Sequence, residues 1–114
     1  MEDRFLQQLK KGVLEMLVLR LICRKPTYGY ELLNRLKSGS DGLFALKEGT
    51  LYPILYRLED EGFVTASWSA GEGRTAPKKI YTATALGKSC CLRQAEIWKD
   101  FVSMVDGFEG EGIE

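Results

Sequence analysis

No histidine occurs in the chain of 114 residues. Its absence removes the Ser/His/Asp and Cys/His nucleophilic arrangements and every His-containing zinc site. Cysteine is scarce as well: Cys23, Cys90 and Cys91 are odd in number and lack paired CxxC spacing, so neither a zinc ribbon nor a secreted disulfide framework is legible. Such thiols suit a reducing cytoplasm. The longest apolar run, residues 13–23, is 11 residues interrupted by Glu15 and Arg20, against the roughly 20 needed to cross a bilayer. No basic n-region followed by an apolar stretch and a cleavage site opens the chain, so no leader and no membrane partner are expected. Net charge is missing too, with 16 Lys+Arg against 16 Asp+Glu. A basic domain is the usual footprint of a nucleic-acid binder, so the zero sum at first speaks against one. The sum hides a gradient: 15 basic and 10 acidic residues precede Gln94, and 1 basic and 6 acidic residues follow from there. The two ends of the chain therefore suit different partners.

What is present is a globular composition, 45% hydrophobic and 11% aromatic. Residues 5–23 contain no proline and one glycine, with Leu6, Leu9, Val13, Leu17 and Leu21 at helical recurrence. The apolar surface of this first helix is too wide for one face. Leu14, Leu17, Val18, Leu21 and Ile22 make one stripe, and Leu9, Gly12, Val13 and Met16 a second one rotated from it. Pro26 breaks the helix, and Thr27 is expected to cap a short second helix in which Tyr28, Leu32, Leu33 and Leu36 share an inward face. A Ser/Gly/Asp loop at residues 38–42 precedes a third helix beginning between Lys47 and Thr50, with Leu51, Ile54, Leu55 and Leu58 inward and Gly62 as its stop. Pro53 is expected near that start, where backbone N–H groups have no intrahelical partner.

The period then changes. Residues 63–69 and 79–82 suit two strands of a hairpin, separated by the mobile, basic-flanked tip AGEGRTAP. Thr84 caps a last helix from Ala85 to about Asp106, and the tail from Gly107 is expected to fray. Three short helices followed by a two-stranded hairpin is the winged helix-turn-helix order, mainly α with a small β-hairpin. It sets a helix in the DNA major groove while the hairpin reaches an adjacent groove or the backbone. The expected organisation is a DNA-binding unit over residues 1–83, a C-terminal dimerisation helix over 84–108 and a flexible tail over 109–114.

The blocks KPTYGYEL (residues 25–32), EGTLYPILYRLEDEGFV (48–64) and KKIYTATALGK (78–88) resemble the signature of the PadR family of bacterial transcriptional regulators. The single short C-terminal helix with a central tryptophan is similar to the family's compact subgroup, which includes a lactococcal multidrug-resistance repressor. The resemblance implies a homodimer bound to double-stranded DNA, and it carries Thr50 and Tyr52 over as DNA contacts and Tyr30 as a phosphate contact. The wing departs from the family pattern at Thr75, Ala76 and Pro77, where more arginine and glycine are usual. Charge and position add Lys47 and Arg57 on the third helix and Arg74, Lys78 and Lys79 on the wing. By composition alone, each of these sets also fits a solvated surface. Phosphate contacts by the basic residues position a protein without selecting sequence.

The last helix has an apolar stripe that nothing later in the chain can cover. Exposing Ile97, Trp98, Phe101 and Val105 forfeits about 1.5 to 3 kcal/mol for each large side chain. A second subunit is the simplest cover, and Val13, Ile97, Trp98, Phe101 and Val105 are the expected interface. In the resemblance this helix packs on the partner's first helix, and Trp98 lines a pore between subunits that takes flat aromatic effectors. Leu9, Met16, Phe101 and Val102 are then its walls, with space at Gly12. The plainer reading of Trp98 is an interface anchor. No cofactor, no metal ligand set and no catalytic group are legible. Two other functions remain open: a winged-helix protein-interaction module, or a redox or metal sensor built on Cys90 and Cys91, residues otherwise expected to be packing, like Cys23.

Overall fold

The computed structural model describes residues 4–71 and 73–108. The expected tail at 109–114 lies outside the described residues, as does Glu72 in the hairpin tip. Four helices and one hairpin follow in the order α1 (Arg4–Arg24), α2 (Gly29–Gly39), α3 (Glu48–Asp60), β1 (Val64–Trp68), β2 (Lys79–Ala83) and α4 (Ala85–Asp106). The core forms where the C-terminal half of α1 meets α2, α3 and the hairpin. Val18, Leu19 and Ile22 of α1, Leu32 of α2, Leu51, Leu55 and Leu58 of α3, and Val64 and Tyr81 of the hairpin are almost wholly buried there. Leu19, outside the stripe marked in the sequence, is buried because α1 is packed from more than one side, whereas Leu14, Leu17 and Leu21 are only partly covered.

Two local expectations are corrected. Thr27 does not cap α2; Tyr28 holds the cap position, and no side chain caps the helix. Thr27 is instead drawn into a β-bridge with Tyr81, its N–H donating to the Tyr81 carbonyl at 3.1 Å while the Tyr81 N–H donates back at 2.7 Å. Its hydroxyl donates to Glu31 at 2.6 Å. The non-local backbone pairing satisfies a buried N–H and C=O together, which one cap bond cannot do. Pro53 is the sixth residue of α3, beyond the first turn, so one intrahelical bond to the Gly49 carbonyl is lost. Both residues are exposed.

The hairpin pairs Val64 with Ala83, Ala66 with Tyr81 and Trp68 with Lys79, in antiparallel register. Directly opposed residues share a face. Burial along that face fades from Val64 through Ala66 to Trp68, because the far end of the hairpin projects past the core. At the other end Gly62, with φ +81°, closes α3, and Thr84 caps α4 as expected, accepting from the Gly87 N–H at 3.0 Å and donating to the Gly62 carbonyl at 2.7 Å. Beyond its first turns α4 stands clear of the core. The radius of gyration is 16.7 Å, against roughly 13 Å for a compact domain of about this size.

Candidate nucleic-acid interface

Burial of Leu51, Ile54, Leu55 and Leu58 rotates α3 so that Gly49, Pro53, Tyr56 and Asp60 face outward, with Tyr52 on one flank and Arg57 on the other. Tyr52 is half-buried. Its phenol reaches the start of α2 and lies on Gly29, where any Cβ would collide with the hydroxyl. The sequence YGYEL thus needs glycine at its second position for the tertiary contact. Arg57 leans back to α1, its Nε donating to Glu15 Oε1 at 3.4 Å. Tyr30 is exposed on α2.

Between the start of α2, α3 and the wing lies a groove of about 410 Å³ lined by Tyr28, Tyr30, Tyr56, Trp68, Lys78 and Lys79, with Tyr52 and Tyr81 along its floor. Tyr28 is not the core residue expected from its helical position: it is half-buried, with the Lys78 ammonium 4.3 Å above its ring. Lys79 lies 5.8 Å from the Tyr56 ring centroid and 5.6 Å from that of Tyr81, with its ammonium 4.0 Å from Glu59 Oε1. Tyr52 and Tyr56 sit 6.4 Å apart between centroids. Burial, with a smaller contribution from Glu59, pushes the Tyr81 phenol up to about 12. It is therefore a donor at neutral pH. Sequence reading missed Trp68 because its alternation with Val64 marks it as core-facing, and only the length of the hairpin puts it beyond the core.

Lys47 precedes α3 and accepts from the Thr50 N–H through its carbonyl at 3.0 Å, and both side chains are exposed. A small hollow joins Thr50 to Lys10 and Lys11 of α1. These two lysines extend the basic surface beside the start of α3, a neighbourhood that the long stretch of intervening chain conceals. Arg74 is exposed at the wing tip, apart from the groove.

The sequence pattern of the transcriptional regulator PadR-like family matches residues 18–92, more than half of the chain and all of the α2, α3 and wing region just described. The chain belongs to the PadR-like family of transcriptional regulators. It is 33% identical over 76 residues to the negative transcriptional regulator PadR of Bacillus subtilis, a match covering 67% of this chain and 41% of that protein. A Lysinibacillus sphaericus protein of uncharacterised role is 32% identical over 105 residues, 91% of this chain and 94% of its own. The fold is similar to that of a PadR family transcriptional regulator from Eggerthella lenta, with TM-score 0.82 and 29% identity, covering 95% of this chain and 91% of that one.

This PadR-like regulator has a second concave surface, between α1 and α4. The cleft holds about 530 Å³ and is lined by Leu9, Val13, Met16, Ile97, Trp98 and Phe101, with Gly12 opening onto empty space. Four of the five expected effector residues line it, and Val102 lies outside the lining. Among the described residues Glu15 is the one charged side chain along its wall, and Gln94 puts a buried Oε1 there with no hydrogen-bond partner. Ile97, Phe101, Met104, Val105 and Phe108 remain about half exposed along α4.

The cysteines of this PadR-like regulator gather where α1 meets the start of α4. Cys23 is half-buried and packs against the core, its Sγ donating to the Gly87 carbonyl at 3.6 Å. Burial, reinforced by neighbouring Cys91, pushes its thiol up to about 11, and burial also raises that of Cys90. The thiolate is the reactive form, so both shifts work against a redox sensor. Among the described residues no group of three or more acidic or thiol side chains is arranged to hold a metal ion, and no helix is long and apolar enough to cross a membrane.

Proposed function

We propose that this PadR-like regulator is a cytoplasmic DNA-binding repressor that acts as a homodimer on a pseudo-palindromic operator and responds to a small apolar or aromatic effector, as in the compact subgroup it resembles. Residues 1–83 are the DNA-binding unit and 84–108 the dimerisation helix. The observation that carries the reading is the concentration of phenols and ammonium groups around the outward face of α3. Lys78 and Lys79 held over aromatic rings suit phosphates, and Thr50 and Tyr56 suit phosphates or base edges. Glu96, Asp100 and Asp106 lie on α4, apart from that face.

Duplexes enriched from a random library, with binding followed by fluorescence anisotropy, test this reading. The affinity of the wild type falls steeply with salt. Tyr52→Ala and Lys79→Ala each lose about tenfold, in line with roughly 1.5 kcal/mol for a hydrogen bond to a charged group. Lys79→Ala also lowers the salt slope by about one. Arg57→Ala loses less, since Glu15 already holds that guanidinium. Absence of salt-dependent binding to any duplex overturns the reading in favour of a protein-interaction module.

The effector reading rests on the α1–α4 cleft, whose walls are apolar and aromatic. A ligand there lowers operator affinity only if it binds better to a spacing of recognition helices that the operator does not fit. In a Trp68→Phe background Trp98 is the sole tryptophan. Saturable quenching by flat aromatic compounds, lost in Met16→Lys, is expected. No quenching by any member of a broad panel, with the dimer intact, leaves Trp98 an interface anchor.

A further inference from the structure

We propose that a pocket between α1 and α2 binds a small aliphatic carboxylate, its head held by Arg20, Arg24 and Arg35 and its chain laid on leucines. The pocket shares no lining residue with the wing groove or the α1–α4 cleft, so it stands apart from the readings placed on those two surfaces.

The pocket holds about 340 Å³, near the lower end of the range for small-molecule sites. Three basic side chains line it, all of them arginine, and no carboxylate does. In a chain with 16 basic and 16 acidic residues, such an excess is a local arrangement. Among the described residues none of the three guanidiniums forms an ion pair, and Arg35 donates only to the Leu21 carbonyl at 3.5 Å, the long limit of a hydrogen bond. Arg20 and Arg35 are half-buried, so water replaces the missing partners only in part. Repulsion among like charges adds to that cost, and a bound anion relieves both.

The acids close by in sequence are engaged elsewhere. Glu31, one turn before Arg35 on α2, accepts from Thr27 and lies 4.0 Å from the Lys25 ammonium. Asp41 lines a separate hollow with Asn34 and Lys37. The Ser40 hydroxyl donates to the Leu36 carbonyl at 2.6 Å and accepts from the Phe44 N–H at 2.8 Å, so the unused side-chain donors of the lining belong to the arginines.

Arginine meets a carboxylate edge to edge through its planar fork, and it sheds water more readily than lysine. A singly charged head suits half-buried guanidiniums, because a dianionic phosphate loses more hydration on entering. The floor is aliphatic. Leu17, Leu21 and Leu36 line it, while Phe44 is only 6% exposed and offers no open ring face, so a saturated chain fits better than a flat ring. The position does not suit DNA. Arg35 comes five residues after Tyr30 on α2, about 140° around the helix, and therefore faces away from the wing groove.

Octanoate is the probe, with acetate, octanol and sulfate as controls at matched ionic strength. Calorimetric titration of the full-length protein is expected to show saturable octanoate binding, and thermal denaturation a raised melting temperature, since the ligand binds the folded state. Acetate lacks the chain and octanol the charge, and neither reproduces the rise. Arg20→Gln and Arg35→Gln each weaken octanoate about tenfold, the effect of losing a hydrogen bond to a charged group, while the ligand-free protein keeps or gains stability. Arg35→Lys retains the charge without the fork and recovers only part of the affinity. No heat and no raised melting temperature with millimolar octanoate overturns the proposal. An equal rise with sulfate alone also overturns it, since that marks a simple anion site. Octanoate binding that survives Arg35→Gln but disappears in Met16→Lys moves the chain to the α1–α4 cleft and refutes the pocket. Loss of duplex affinity in both Gln variants to the extent seen for Lys79→Ala refutes it as well, by making these arginines DNA contacts.

Discussion

Lysine at both Ile97 and Phe101 is expected to convert the protein to a monomer and to lower its affinity for a two-half-site duplex by at least about a hundredfold. Both side chains stand about half exposed on α4 beside the cleft, 53% each, so neither contributes to the core of its own chain. Burial of such side chains in a partner contributes about 1.5 to 3 kcal/mol apiece, and two buried ammonium groups reverse that gain. The larger effect is geometric. A dimer delivers its second recognition helix at high effective concentration, an advantage of about 10² to 10⁴ that a monomer forfeits without losing one DNA contact. Sedimentation equilibrium reads the first result and anisotropy the second, with circular dichroism checking that the core around Leu19 and Leu55 survives. A double variant that still sediments as a dimer means that α4 is not the interface.

Gly87→Ala should lower stability by about 3 kcal/mol and the melting temperature by roughly 10 to 20 °C. Gly87 is buried in the first turn of α4, and a Cβ there runs into the backbone carbonyl of Phe63. No rotamer relieves a clash with backbone, so the hairpin start or α4 must shift, straining the Thr84 bonds to Gly62 and Phe63 and the Cys23 contact with the Gly87 carbonyl. Gly49→Ala is the control. A Cβ at Gly49 meets nothing within 4 Å, and this helical position should gain up to about 1 kcal/mol. Equal, small effects of the two substitutions in thermal denaturation would show that the α4 start is looser than this packing requires.

The contrast between these glycines bears on what could be read without coordinates. Both sit near helix starts in sequence, and nothing local distinguishes them. The same holds for Gly29, whose lack of a side chain serves Tyr52, and for Thr27, whose backbone partner Tyr81 is 54 residues away. By contrast, the Thr84 cap involves Gly87 three residues on, and it was legible.

Helix and strand periods, the Gly62 stop of α3 and the Thr84 cap of α4, the inward set Leu51, Ile54, Leu55 and Leu58, and the PadR-like blocks were determined by the sequence itself, because each depends on residues within a few turns of one another. The charge gradient along the chain was legible for the same reason. Tertiary structure alone decided that Tyr28 lies under Lys78 and not in the core, that Trp68 outruns the hydrophobic layer, that Glu15 holds Arg57 across 42 residues of chain, and that burial raises the thiols of Cys23 and Cys90. Each of these is a pairing between distant segments, set by which surfaces the core leaves uncovered, and local propensity carries no record of that.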